Sequence, residues 1–363
     1  MSAFWFFLKW VFLLLCLPGI ALAATAKGEG YSVGVYYFPG WKDFQAGASF
    51  PLPWERIKIF SDRKPVLGWY DEGQVNIAEQ HIDMMANHGI DFVIYDWYWG
   101  KGNTPQLDHA LNAYLKAENR NRLKFTILWA NHSSVPSSKS QFESMVDYWI
   151  SNYFSSKQFL QIDGKPVVYI FSMDRLRDNA KTFGEKSDGL LALAREKARA
   201  AGYAGIYFVG GTEASNYWVK DHVPEAGYDA LTAYNYHFSA SPDPVQNRVA
   251  SHSFIELDQM YASQWSWLIK NSPVPYFVPV SSGWDMRPWG GSRDTLHDNS
   301  SSTPETFLEH LRKARGVIDA NPEKTRRTVI ICCWNEFGEG SYIEPTKKMG
   351  FRYLDVVKQV FGK

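Results

Sequence analysis

The chain has 363 residues, of which 45% are hydrophobic, with 38 basic and 38 acidic side chains. This is enough apolar material for one large core, and a formal charge of zero without a basic cluster excludes an electrostatic nucleic-acid binder. Aromatic residues are in excess: 15 Trp, 20 Tyr and 23 Phe make up 16% of the chain, and flat rings with polar edges suit sugar faces as well as a core.

Lys9, the apolar run over 10–17, the break at Pro18-Gly19 and the small residues Ala21-Leu22-Ala23 read as an export signal cleaved near Ala23. The expected organisation is a signal over 1–23 and one domain over 24–363, in an exported protein that is periplasmic or secreted. The apolar run is too short to span a bilayer, so no membrane span is expected once the signal is removed. Removal leaves Cys332 and Cys333 as the only cysteines. Neighbouring cysteines rarely satisfy disulfide geometry, so both are read as small core residues.

Strand-like runs follow at 32–38, 91–96, 124–129, 166–171, 205–209, 230–234, 276–280 and 328–334. Most are continuous apolar runs rather than alternating ones, the pattern of parallel strands buried on both faces. Amphipathic stretches between them predict helices over 74–88, 105–118, 139–154, 187–201, 256–270, 304–320 and 347–361, with a shorter one near 213–220. Eight strand–helix alternations without a linker predict a single-domain (β/α)8 TIM barrel.

Barrel chemistry gathers at the C-terminal ends of the strands. Those ends carry Tyr37, Asp96, Trp97, Trp99, Trp129, His132, Tyr234, Tyr236, Trp284, Asp285, Arg287, Trp334 and Asn335, all candidate substrate-binding residues. Asp285 and Arg287 are equally able to pair with each other. Just past the last strand, Glu336 and Glu339 stand three apart in "WNEFGEG". On a helical turn their Cβ atoms would lie ~5–6 Å apart. Two carboxyls at that distance titrate as a pair, one held protonated to act as acid and one free to act as base. Glycoside hydrolysis needs that division, which makes both candidate catalytic residues. Glu344 is read as structural or as part of the rim. The metal motifs H-E-x-x-H and C-x-x-C, the acidic calcium loop and the nucleotide fingerprints do not occur, so no metal and no cofactor are expected. The expected partner is a polysaccharide or oligosaccharide. The oligomeric state is left open.

"WNEFGEGSYIEP" resembles the strand-eight pattern of glycoside hydrolase family 99 and its WbsX-like relatives. "GIDFVIYDWYW", "WANHS", "DGKPVVYIF" and "SGWDMRPWGG" resemble the corresponding segments in order. The resemblance implies a (β/α)8 barrel that cleaves α-linked glycans, notably α-mannosides, in endo fashion with retention. It implies that Glu336 deprotonates the sugar 2-hydroxyl, which attacks the anomeric carbon to form a 1,2-anhydro sugar. Glu339 would protonate the leaving oxygen and later activate water. Two positions depart from the pattern: Phe337 stands where Trp is usual, and Gly338 where family 99 usually has His. The alternatives are a glycosyl-transferring enzyme of surface-polysaccharide assembly and a non-catalytic carbohydrate-binding barrel.

Overall fold

Apolar runs that do not alternate must be covered on both faces, and the computed structural model wraps them into a cylinder inside a layer of helices. It describes Met1 and residues 30–43, 52–238 and 249–362. Apart from Met1, the export signal expected over 1–23 lies outside the described residues.

The eight strands are β1 (Ser32–Tyr37), β2 (Phe92–Trp99), β3 (Lys124–Trp129), β4 (Lys165–Ile170), β5 (Tyr207–Gly211), β6 (Ala230–Thr232), β7 (Val278–Ser281) and β8 (Thr328–Cys332). All pair in parallel with their neighbours in sequence from β1 to β6, and β8 lies between β7 and β1. The ring closes between β6 and β7, where Leu231 N–H donates to Pro275 O and Phe277 N–H donates to Leu231 O, each at 2.9 Å. This is the expected (β/α)8 barrel.

The principal helices are α1 (Val75–Asn87), α2 (His109–Lys116), α3 (Lys139–Trp149), α4 (Met173–Thr182), α5 (Ser187–Ala200), α6 (Phe254–Asn271), α7 (Pro304–Ala320) and α8 (Arg352–Phe361). Helix α7 begins as its sequence requires, with Thr303 capping Thr306 N–H and Pro304 in the first turn. Helix α4 is unexpected, because "MDRLRDNAKT" carries little apolar stripe; the Ser172 hydroxyl starts it by accepting Arg175 N–H. Helix α2 begins four residues later than the expected 105, because Pro105–Gln106 pairs antiparallel with the end of β2. The expected helix from 347 begins only at Arg352.

Side chains alternate across each strand, and this parity decides what reaches the barrel interior. Tyr36, Phe92, Ile94, Leu128, Tyr169, Val209 and Ile330 fill the inside. Val33, Val35, Tyr95, Phe125, Ile127, Val168 and Val329 point outward into the layer shared with the helices. Cys332 and Cys333 are fully buried against the interior cluster, as expected of core residues. The expectation that they stay unpaired is corrected: they form a disulfide between sequence neighbours, with a cis peptide between them and Cα atoms 2.9 Å apart.

Gly34 is a position where the interior tolerates no side chain. An added Cβ would lie 2.4 Å from two ring carbons of Phe92 and 3.1 Å from Ile330. Phe92 is 1% exposed and has nowhere to go. Gly34→Ala is therefore expected to destabilise the barrel by ~1–3 kcal/mol, read as a lower denaturant midpoint with an unchanged m-value.

Candidate active site

The same parity brings an acidic group together at the C-terminal mouth. On β2 it turns Asp96 and Tyr98 inward, while Tyr95, Trp97 and Trp99 face the helices. Beyond β6, Tyr234 also turns inward. Its hydroxyl lies 3.0 Å from Asp96 Oδ2 and 3.0 Å from Glu336 Oε1. Glu336 and Glu339 do not sit on a helical turn. Asn335–Glu336 pairs antiparallel with Ser341–Tyr342, and Glu339 N–H donates to Glu336 O at 3.2 Å. A tight hairpin thus sets both carboxylates at one mouth. Gly340 makes its return at φ +74°, where an added Cβ would stand 2.7 Å from Asp285 N.

Burial raises all three carboxyls. Desolvation alone pushes Glu339 up to about 7. Glu336 is raised by desolvation first and then by the charges of Glu339 and Asp96, with the Tyr234 hydrogen bond pulling the other way. Asp96 is raised chiefly by desolvation, also against the Tyr234 hydrogen bond, and then by Glu339. Three carboxyls in one poorly hydrated mouth cannot all ionise together, so protons remain in the site near neutrality. Among the described residues, no Lys, Arg or His makes a hydrogen bond or ion pair with any of them.

A chain of rings adjoins the acids through Tyr98 and Tyr234. Tyr98 meets His132 at 5.5 Å between centroids, His132 meets Phe171 at 5.6 Å, Phe171 meets Tyr234 at 5.6 Å, and Tyr234 meets Tyr36 at 4.8 Å. His132 is exposed, and desolvation followed by the Arg175 charge lowers its pKa, so its imidazole is neutral near neutral pH. Tyr98 and Phe171 were not singled out in the sequence. The signal for Tyr98 was its position two residues past Asp96, on the same face of the strand.

Several expected contact residues serve the scaffold instead. Tyr37, Trp97, Trp99, Trp129, Tyr236 and Trp334 are at most 4% exposed and pack in the layer between strands and helices, with their rings turned away from the mouth. Asn335 spends its amide on the backbone of Phe38, accepting its N–H at 2.9 Å and donating to its carbonyl at 3.0 Å. Trp284 is held between His237 and His297, and its Nε1–H donates to Ser292 Oγ at 3.0 Å. Asp285 and Arg287 pair with each other, Nε to Oδ1 at 2.8 Å and Nη2 to Oδ2 at 2.6 Å. Arg287 otherwise lies exposed, and Arg63 holds Asp285 Oδ2 from the other side. Glu344 is buried, accepting the Tyr70 hydroxyl at 2.7 Å, with His81 Nε2 3.5 Å away.

Arg63 is the support that sequence reasoning missed. It comes from the long loop after β1, is 3% exposed, and donates to Phe337 O at 2.6 Å and Asp285 O at 3.1 Å. Asp285 N–H in turn donates to Glu339 O at 2.7 Å. The loop after β1 and the loop after β7 are thereby tied to the hairpin that carries the acids. A second tie runs through Trp41. Its N–H donates to buried Glu72 at 2.6 Å, and its indole N–H donates to Asn335 O at 2.7 Å. Gly338 is covered by Trp289: an added Cβ would sit 1.9 Å from two indole atoms. The indole fills the space that a larger residue at 338 would occupy, which accounts for the glycine there.

Comparison with known proteins agrees with this architecture. Residues 61–357 match the family described as glycosyltransferase WbsX. A solved structure described as a glycoside hydrolase-like protein superposes with a TM-score of 0.65 at 16% identity, over 92% of this chain and 94% of that one. The GH99 endo-alpha-mannosidase from Bacteroides thetaiotaomicron superposes with a TM-score of 0.61 at 16% identity, over 90% and 96%. The uncharacterized protein WxcX of Xanthomonas campestris pv. campestris is 20% identical over 315 residues, which are 82% of this chain and 43% of that protein. The chain therefore spans less than half the length of this curated relative.

Proposed function

The chain belongs to the WbsX glycosyltransferase family, and from its mouth geometry we propose that it is an exported glycoside hydrolase acting on α-linked glycans. The observation that carries this reading is the hairpin after β8, which sets Glu336 and Glu339 at one barrel mouth beside a chain of aromatic rings. Glu339, pushed up to about 7, is the acid that protonates the leaving oxygen. Glu336, held by the Tyr234 hydroxyl, is the base. No further carboxylate is required as a nucleophile if the sugar 2-hydroxyl attacks the anomeric carbon once Glu336 takes its proton. Water, deprotonated by Glu339, then attacks the anomeric carbon and opens the anhydro ring with net retention, while Glu336 returns its proton to the 2-oxygen. The likeness in fold to an endo-α-mannosidase supports an α-mannoside-like linkage cut within the chain.

The family description favours a second reading, transfer. With no Lys, Arg or His bonded to its carboxyls among the described residues, this mouth offers no counter-charge there to the diphosphate of a sugar-nucleotide donor. Transfer fits this mouth only from a glycoside donor, with an acceptor hydroxyl taking the place of water.

The test is incubation with a panel of α-glycans, followed by the matching 2-deoxy glycoside of any substrate found. The parent should be cleaved with retention, and the 2-deoxy analogue should be inert. Cleavage of the analogue at the parent's rate would overturn the 2-hydroxyl route, and sugar transfer without hydrolysis would favour the second reading.

A further inference from the structure

The Tyr234 phenol poses a problem of proton counting. It lies 3.0 Å from one oxygen of Asp96 and 3.0 Å from one oxygen of Glu336, yet a phenol has a single hydrogen to donate. If both carboxyls were ionised, one of these contacts would set a carboxylate against a phenol lone pair inside a buried site. The contact becomes a bond when one carboxyl is protonated and donates to the phenol oxygen.

Asp96 is the member placed to hold that proton. It is 6% exposed, and among the described residues the phenol is the only hydrogen-bond partner its carboxyl has, its second oxygen, Oδ1, having none. A buried carboxyl with so few donors is poorly stabilised as an anion. The titratable neighbours are themselves acids: Tyr36 on β1, Tyr98 on β2, Glu339 beside Glu336, and Glu72 behind the loop after β1. His132 meets the group through the rings of Tyr98 and Phe171.

We propose that Asp96 and Tyr234 are positioning residues forming a directed hydrogen-bond chain. The protonated Asp96 carboxyl donates from Oδ2 to the Tyr234 oxygen, and the Tyr234 hydroxyl donates to Glu336 Oε1. The chain keeps Glu336 ionised beside the acid Glu339, and so ready to take a proton from a sugar hydroxyl. No bond to carbon changes and no proton is lost, because the arrangement fixes where one proton rests. It builds on the assignment of Glu336 as the base.

Two measurements test it. The first needs no substrate. With aspartate labelled at its carboxyl carbon and Asp96→Asn used for assignment, the 13C resonance of Asp96 should sit at the protonated position at pH 7. Titration of that resonance in the ordinary carboxylate range near ~4 would overturn the proposal. The second is the acid limb of the kcat/KM profile. Tyr234→Phe removes a donor to the Glu336 anion, so the limb should move up by about one pH unit, roughly a tenfold loss at a pH below it. Asp96→Asn supplies an amide N–H in place of the carboxyl O–H, so the limb should stay in place whatever happens to the plateau rate. A downward shift in Asp96→Asn would mean that a negative charge had been removed, and would equally overturn the proposal. An inert wild-type enzyme would defeat the base assignment, while the resonance would still report where the proton lies.

Discussion

Glu339→Gln is expected to lower kcat by ~10²–10⁴-fold while leaving glycan affinity close to that of the wild type. The amide keeps the shape of the side chain and its place in the hairpin, but it cannot give up a proton to the departing oxygen. The wild-type profile carries a second mark of the same residue. Burial pushes this carboxyl up to about 7, so its acid form is fully populated below that pH and is lost as pH rises through it. Activity should therefore decline above about pH 7, and this basic limb should be missing from what remains in the variant. Isothermal titration with a non-hydrolysed glycan, set beside initial rates from pH 5 to 9, checks both parts. An unaltered rate, or a basic limb that survives the substitution, would reassign the acid.

The second large effect is on stability. Arg63→Met is expected to cost ~3–5 kcal/mol, because it removes a buried guanidinium while its partners stay buried. Asp285 would keep only the exposed Arg287, and the carbonyls of Asp285 and Phe337 would lose a charged donor. The hairpin would also lose part of its anchorage, so turnover should fall even below the melting temperature. Arg63→Lys, with a point charge instead of a planar fork, should recover only part of either loss. Thermal melts and rates at 20 °C separate the two consequences. A variant that melts with the wild type would show that the ties through Trp41 and Asn335 suffice.

What the sequence disclosed, and what it withheld, follows from physics at particular positions. All eight strands were legible because a strand buried on both faces is an unbroken apolar run, as in Val93-Ile94-Tyr95 or Val329-Ile330-Ile331. That same continuity concealed which way each side chain points. Trp97 and Trp99 looked as well placed as Asp96, yet they face the helices. The carboxylate pair was legible from its spacing and its place after β8, although the turn that presents it proved to be a hairpin. Arg63 was not legible: its partners lie 222 and 274 residues away, and nothing local in "FSDRKP" marks it. The pairing of Cys332 with Cys333 was missed because adjacency argued against it.

The reciprocal clamp between Asn335 and the Phe38 backbone has a consequence for when the acidic mouth is assembled. It joins the segment just past β1 to the segment just past β8, 297 positions apart, immediately beside Glu336. Until β8 has paired with β1, neither acid is held in place. Cleavage that freed β8 would likewise disarm a finished molecule.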